Sequence, residues 1–163
     1  PFHRPSRLAE DDTSSFDALL HALSQVESHH YTVLLQPTSP LRIVEDIDGT
    51  IERCHESDAP SCVTVTKTEK PPEWMYILRE DHGLVPVVEQ GEKASRRQEV
   101  QDVYVLNGAV YVAVTAHLKN KRRFICDNTK GYPMPQVRSP DVDKMIDLKW
   151  CEFLLRSAGE ENL

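Results

Sequence analysis

One stretch constrains the fold before any other: Tyr31-Thr32-Val33-Leu34-Leu35, running into Gln36-Pro37-Thr38-Ser39-Pro40-Leu41-Arg42. A short apolar run cut off by prolines reads as a buried strand that ends in a rigid loop. Each proline fixes its own φ and pushes the residue before it out of helical space. In an open α/β sheet, ligands sit at the carboxyl ends of strands. Gln36, Thr38, Ser39 and Arg42 place amide, hydroxyl and guanidinium groups at that point. An ordinary strand-to-helix turn stopped by proline would use the same residues, and spacing alone does not choose between the two.

The rest of the chain extends the α/β rhythm. Residues 1–13 read as extended, because Pro1 and Pro5 exclude a helix. Ser14 with Asp17 approximates a capping box, and Phe16, Leu19, Leu20, Leu23 and Val26 follow at helical spacing, which predicts a helix over 15–28. Acids at Glu45 and Asp46 open a second helix, 44–56, with Ile47 and Ile51 facing inward. Cys62 to Thr66 alternates and is β-branched, so it is a strand. Lys70-Pro71-Pro72 then breaks the rhythm. Trp74–Leu78 and Leu84–Val88 flank Arg79–Gly83, which predicts a hairpin carrying exposed apolar residues. We expect one domain over 1–163, with 70–102 as an inserted arm that meets a second copy of the chain.

Val103 to Val114 returns to strand, interrupted by Asn107-Gly108 as a turn or a bulge. Thr115 is expected to cap a helix ending near Lys121. Asp127–Tyr132 reads as loop, Met134–Val137 as a short strand, and 146–157 as a last helix with Ile146, Leu148, Cys151, Leu154 and Leu155 inward.

Composition removes several function classes. A net charge of −7 argues against a surface built to coat a nucleic-acid polymer. No apolar run reaches the length of a membrane span, and no signal peptide opens the chain, so a cytoplasmic protein is expected. Cys54, Cys62, Cys126 and Cys151 form no CxxC pair, which favours reduced thiols over zinc or disulfides. The glycines are too scattered to build a phosphate cradle.

Three groups could carry chemistry. Asp141 and Asp143 lie two apart and share a face of an extended segment, as a hard cation such as Mg²⁺ requires. They could equally form, with Asp147, a solvated cluster at the start of the last helix. Arg96-Arg97 suits carboxylate or phosphate, although a solvated pair is the plainer account. Asn107-Gly108-Ala109-Val110-Tyr111 puts a polar residue and a glycine inside a strand, which marks either a structural bulge or a place where backbone meets ligand.

Taken together, these stretches resemble the CMP-sialic acid synthetases (acylneuraminate cytidylyltransferases). Arg4-Pro5-Ser6-Arg7-Leu8-Ala9 with Asp12-Thr13-Ser14-Ser15 is similar to the family's second motif, and Leu34–Arg42 to its third. Arg96-Arg97-Gln98, Tyr104 and Asn107–Tyr111 resemble the fourth; Ser139, Asp141-Val142-Asp143 and Asp147-Leu148 resemble the fifth. Order and spacing agree over nearly the whole chain. The resemblance implies a Rossmann-like nucleotidyltransferase three-layer sandwich with a mostly parallel sheet and an inserted β-hairpin dimerisation arm. It implies joining of CTP to a nine-carbon 2-keto sugar acid, giving the CMP-sugar and pyrophosphate, with Mg²⁺ on Asp141 and Asp143. Gln36, Thr38, Ser39, Asn107, Tyr111 and Phe124 would serve the sugar acid, with Phe124 near its N-acyl group. Arg97 would bind an anion under the dimer arm, and Thr13 and Ser15 would line the nucleotide pocket. The family's first, Gly-containing nucleotide loop has no match, so an N-terminal piece is expected beyond Pro1. Gln101 stands where the family commonly has Pro, and Pro140 where it has an aliphatic residue. The same fold acting on a legionaminic, pseudaminic or Kdo-type acid, or a catalytically inactive dimerisation fragment, is the alternative.

Overall fold

The longest strand, β5 (Tyr104–Val114), lies inside a four-stranded sheet and frames it. The structure is a computed structural model that describes residues 2–10, 14–88 and 102–160. Rich in Val, Tyr, Leu and Ala, β5 suits a pleated, half-buried surface. On one side it pairs antiparallel with β1 (Tyr31–Leu34), on the other with β2 (Ser61–Lys67). β2 in turn pairs parallel with β6 (Lys130–Met134). The order is β1-β5-β2-β6. β1, β2 and β6 therefore point one way and β5 runs against them, so the sheet is mixed within the expected α/β class.

Alternation along the strands sends side chains to two faces. Cys62, Val110 and Val112 pack with Cys54 and Met134 beneath Ile47 and Ile51 of α2 (Val44–Glu56). Val63 and Ala113 pack on the opposite face with Leu118 of α3 (Thr115–Lys121), Phe124, and Phe16, Leu19 and Leu23 of α1 (Ser15–Ser24). The result is the expected three layers: helix, sheet, helices.

Several boundaries shift, each for a local reason. α1 stops at Ser24, whose hydroxyl turns back to the His21 carbonyl at 2.7 Å. Ser14 does cap it, accepting from the Phe16 N–H at 3.2 Å, but Asp17 is drawn off to Arg122 and closes no capping box. Thr115 caps nothing. It is the first residue of α3 and its hydroxyl shares a hydrogen bond with Thr32 at 2.8 Å. β6 begins at Lys130, inside the stretch read as loop, and ends at Met134, where the strand was expected to begin. Lys-Gly-Tyr-Pro hides a strand because Pro133 is tolerated only at an edge, and β6 is an edge of the described sheet. β1 is the other edge, so Val33 and Leu35 are exposed rather than buried.

The hairpin forms as read, from β3 (Tyr76–Leu78) and β4 (Leu84–Pro86), as a separate two-stranded sheet. Trp74, Met75, Tyr76, Ile77, Leu78 and Leu84 are all exposed on it. α4 (Met145–Glu160) is less inward-facing than its spacing suggested. Cys151 is buried, but Ile146 is 66% exposed and Leu155 is also exposed.

Burial pushes the Cys62 thiol up from 9.0 to about 11, with Cys54 adding to the rise and Arg53 and the Val63 backbone opposing it. The folded state keeps this thiol protonated after the unfolded chain has lost the proton. Its contribution is fully present below pH 9.0 and is lost as pH rises towards about 11. The burial-raised Cys54 and Cys151 thiols act in the same direction. Urea denaturation across this range is expected to show falling stability, with a shallower fall in Cys62→Ala; equal slopes would contradict the assignment.

Candidate active site

The site is built around a break in the β2–β5 ladder. Val63 pairs with Tyr111 and Val65 with Leu106, so Asn107–Val110 stand opposite the single Thr64. The Thr64 hydroxyl fills the gap, accepting from the Val110 N–H at 2.9 Å and donating to its carbonyl at 3.2 Å. Asn107-Gly108 is therefore a bulge, not a turn. Gly108 has φ +75°, a conformation that non-glycine residues rarely adopt. A Cβ there would also crowd the Gln36 Oε1 at 2.6 Å, with the Ser39 Oγ at 3.5 Å and the Asp141 Oδ2 at 3.8 Å in ordinary contact. Three segments far apart in the chain thus converge on one glycine.

The first wall is the loop after β1. Arg42 does not face a ligand: its Nη1 donates to the Gln36 carbonyl at 2.6 Å and to the Ser39 carbonyl at 2.8 Å, stapling the loop on itself. Ser39 is fully buried, and its hydroxyl donates to the Asn107 carbonyl at 3.3 Å. Thr38 joins the site through its backbone, its carbonyl accepting from the Val142 N–H at 2.8 Å.

The second wall carries the acids. The Asn107 amide donates to the Ser139 Oγ at 2.9 Å and to the Met134 sulfur at 3.3 Å, while its oxygen accepts from the Ala109 N–H. Ser139 in turn donates to the Pro135 carbonyl at 2.8 Å. Asp141 and Asp143 are both exposed on the loop that follows. Asp147 is committed elsewhere: its Oδ2 accepts from the Asp143 and Lys144 N–H groups at 3.1 and 2.7 Å, capping α4. Beyond Asp141 lies an open cleft of about 390 Å³, lined in part by Lys67, Gln136, Ser139, Asp147 and Trp150. No group of three or more His, Cys, Asp or Glu side chains among the described residues is arranged to hold a metal. A two-carboxylate set fits a hard cation that takes its other ligands from water and substrate phosphate.

Tyr111 and Phe124 are one unit. Their rings lie 5.4 Å apart, and Phe16 stacks on Phe124 from α1 at 5.7 Å. Phe124 is 5% exposed and belongs to the core in this structure. Burial, and then the Asp141 carboxylate, push the Tyr111 phenol upward, so it stays a protonated donor at neutral pH. Ser15 opens α1. Thr13 and the Arg96-Arg97-Gln98 triplet lie outside the described residues.

Sequence reasoning missed a buried ion pair behind the site. Asp46, 0% exposed, accepts from the Arg138 Nε at 3.0 Å and Nη2 at 2.7 Å, and from the Ile43 N–H at 3.0 Å. Asp46 had been read only as a first-turn acid. The signal available was an arginine directly before Ser139; its partner lies too far away in sequence for spacing to show.

The fold has a solved counterpart. Over 92% of its length the chain superposes on 70% of CMP:2-keto-3-deoxy-manno-octonic acid synthetase complexed with CTP, with a TM-score of 0.62 at 14% identity. In sequence the chain is similar to N-acylneuraminate cytidylyltransferases: 31% identical over 144 residues to that of Streptococcus agalactiae serotype V, and 29% over 147 to that of Escherichia coli O18:K1:H7. These matches take in 88% and 90% of this chain, which spans 35% of the length of either relative. CMP-N,N'-diacetyllegionaminic acid synthase of Legionella pneumophila is 27% identical, over 95% of this chain and 68% of that protein. No protein-family model matches the chain.

Gly108→Ala is expected to destabilise the protein by about 1–2 kcal/mol from backbone conformation alone. Gln36→Ala should relieve the side-chain overlap but not the φ cost, so a double-mutant cycle by urea denaturation should show positive coupling between the two positions. Strictly additive effects would contradict the close approach.

Proposed function

We propose that the protein is a cytidylyltransferase that activates a nine-carbon 2-keto sugar acid of the N-acylneuraminate type with CTP, releasing pyrophosphate. The observation that carries this reading is the convergence of Gln36, Ser39, Asn107 and Asp141 on Gly108, in a chain whose curated homologues are named for that reaction. In the reaction the anomeric hydroxyl gives up its proton to solvent as its oxygen bonds to the α-phosphorus, the bridge to the β-phosphate breaks, and pyrophosphate leaves with the electron pair. Such transfer depends mainly on positioning and charge neutralisation.

The neutral groups suit the sugar acid. The Gln36 amide, beside Gly108, and the phenol of Tyr111, whose ring packs on Phe124, would supply uncharged donors and acceptors. Asn107 is pinned by Ser139 and Met134 and reinforces the bulge. Asp141 and Asp143 would hold Mg²⁺, which when bound neutralises charge on the phosphates. Arg97 serves an anion, and Thr13 and Ser15 the nucleotide. The exposed apolar hairpin is read as a dimer contact, with 70–102 as the arm of a single domain over 1–163. Among the described residues no helix is long and apolar enough to cross a membrane, which agrees with the cytoplasmic setting we assign. The Legionella relative favours a second reading, in which a legionaminic-type acid is the substrate.

The test is pyrophosphate release from CTP with N-acetylneuraminate, legionaminate, pseudaminate and Kdo in parallel. We expect release with a nine-carbon acid; none with any of the four would overturn the reading. Asp141→Asn and Asp143→Asn should each lower Mg²⁺-dependent turnover by at least about 100-fold, the loss expected when a carboxylate of a phosphate-bound cation is removed. Full activity in both would remove these acids from the mechanism. Sedimentation should give a dimer that Ile77→Asp with Leu84→Asp weakens; a monomeric unaltered protein would count against the arm.

A further inference from the structure

The Asp46 carboxylate binds two things at once. Its Oδ2 accepts from the Ile43 N–H, the first residue after the Gln36–Arg42 loop. The same oxygen and its twin accept the fork of Arg138, the residue immediately before Ser139. One fully buried anion therefore ties together the roots of both walls of the site. The geometry beyond those roots is short. Arg42 fixes Gln36 and Ser39 on one side, and Ser139 fixes Asn107 on the other. The walls meet directly in two bonds, the Val142 N–H to the Thr38 carbonyl and the Ser39 hydroxyl to the Asn107 carbonyl. The Asp46 hydrogen bond dominates the upward shift of the Arg138 guanidinium, which remains charged throughout.

We infer that the Asp46–Arg138 ion pair is a positioning pair, which sets the Gln36–Arg42 loop in register with the Ser139–Asp143 loop and thereby places the Asp141 carboxylate against Gln36 and Asn107. Neither residue touches the space around Gly108, so both act through the loops they anchor. A planar bidentate fork transmits orientation as well as charge. Lysine keeps the charge and loses the orientation. The effect on turnover rests on the cytidylyl-transfer reading; the effect on loop register does not.

The test compares Arg138→Lys with Thr50→Val. Thr50 is fully buried in α2 and donates only to the Asp46 backbone carbonyl, so its substitution perturbs the same helix without opening the fork. At matched thermal destabilisation, Arg138→Lys is expected to raise the Mg²⁺ concentration for half-maximal rate and to lower kcat, each by about tenfold, as loss of an outer-shell partner does. KM for CTP should change much less. Independently of activity, hydrogen exchange at the Val142 amide should quicken by about tenfold in Arg138→Lys, since that bond reports loop register. Thr50→Val should leave all of these near their unaltered values. Asp46→Asn should reproduce the pattern from the other partner, and serves if Arg138→Lys folds poorly. Equal behaviour of Arg138→Lys and Thr50→Val, or unchanged Val142 exchange, overturns the proposal. An unaltered protein that makes no CMP-sugar while the exchange difference persists would overturn the function and leave the positioning role standing.

Discussion

The site depends on a backbone constraint before it depends on any side chain. β5 must leave its ladder at Asn107 and rejoin it by Tyr111, and a glycine accepts without strain the φ of +75° that this path needs at position 108. The absence of a side chain there does two jobs. It allows the left-handed turn, and it lets the Gln36 amide approach the strand more closely than a Cβ would permit, beside Ser39 and Asp141. A regular strand would have kept the β2 pairing intact and buried the space where these groups meet.

A bulge exposes polar backbone that has to be satisfied. Thr64 takes up both the N–H and the carbonyl of Val110, and the Asn107 side chain takes up the N–H of Ala109. Ser39 satisfies the Asn107 carbonyl from the opposite wall. The residues that resemble substrate contacts are thus partly residues that make the bulge possible. Asn107 belongs to both groups, and the one role supports the other: an amide held by Ser139 and Met134 has little orientational freedom left to lose on binding.

Much of this was legible in the residues, and what was not has a physical reason. The β-branched runs and the amphipathic spacings of α1 and α2 are local signals, and those elements form as expected, α1 four residues shorter. β6 was displaced because its Gly and Pro are admissible only at an edge, a fact about neighbours and not about the segment. α4 reads as inward-facing at five positions, yet a helix pattern does not say which layer exists to receive it. Within the site, Gln36, Asn107 and Asp141 were visible because each breaks a local rule: an amide closing a strand, a polar residue before glycine, and paired acids on a loop. Asp46 and Arg138 break none. A first-turn acid and a loop arginine are ordinary in isolation, and only the fold brings them together.

Charge sharpens the argument about the proposed reaction. The chain carries −7, and Asp141 and Asp143 stand exposed at the point where a triphosphate and a sugar carboxylate would arrive. Two arginines at the walls of the site are already committed. Arg42 is spent on the Gln36 and Ser39 carbonyls, and Arg138 on the buried Asp46. Neither can turn to an incoming anion without undoing a wall of the site. In the proposed reaction the exposed acids would repel the incoming anions. The neutralising charge would then have to arrive with them, as a divalent cation between the Asp pair and the phosphates. In that reading the neutral groups of the walls are kept for the sugar and the charge is answered from outside them, which leaves Arg42 and Arg138 available as scaffold.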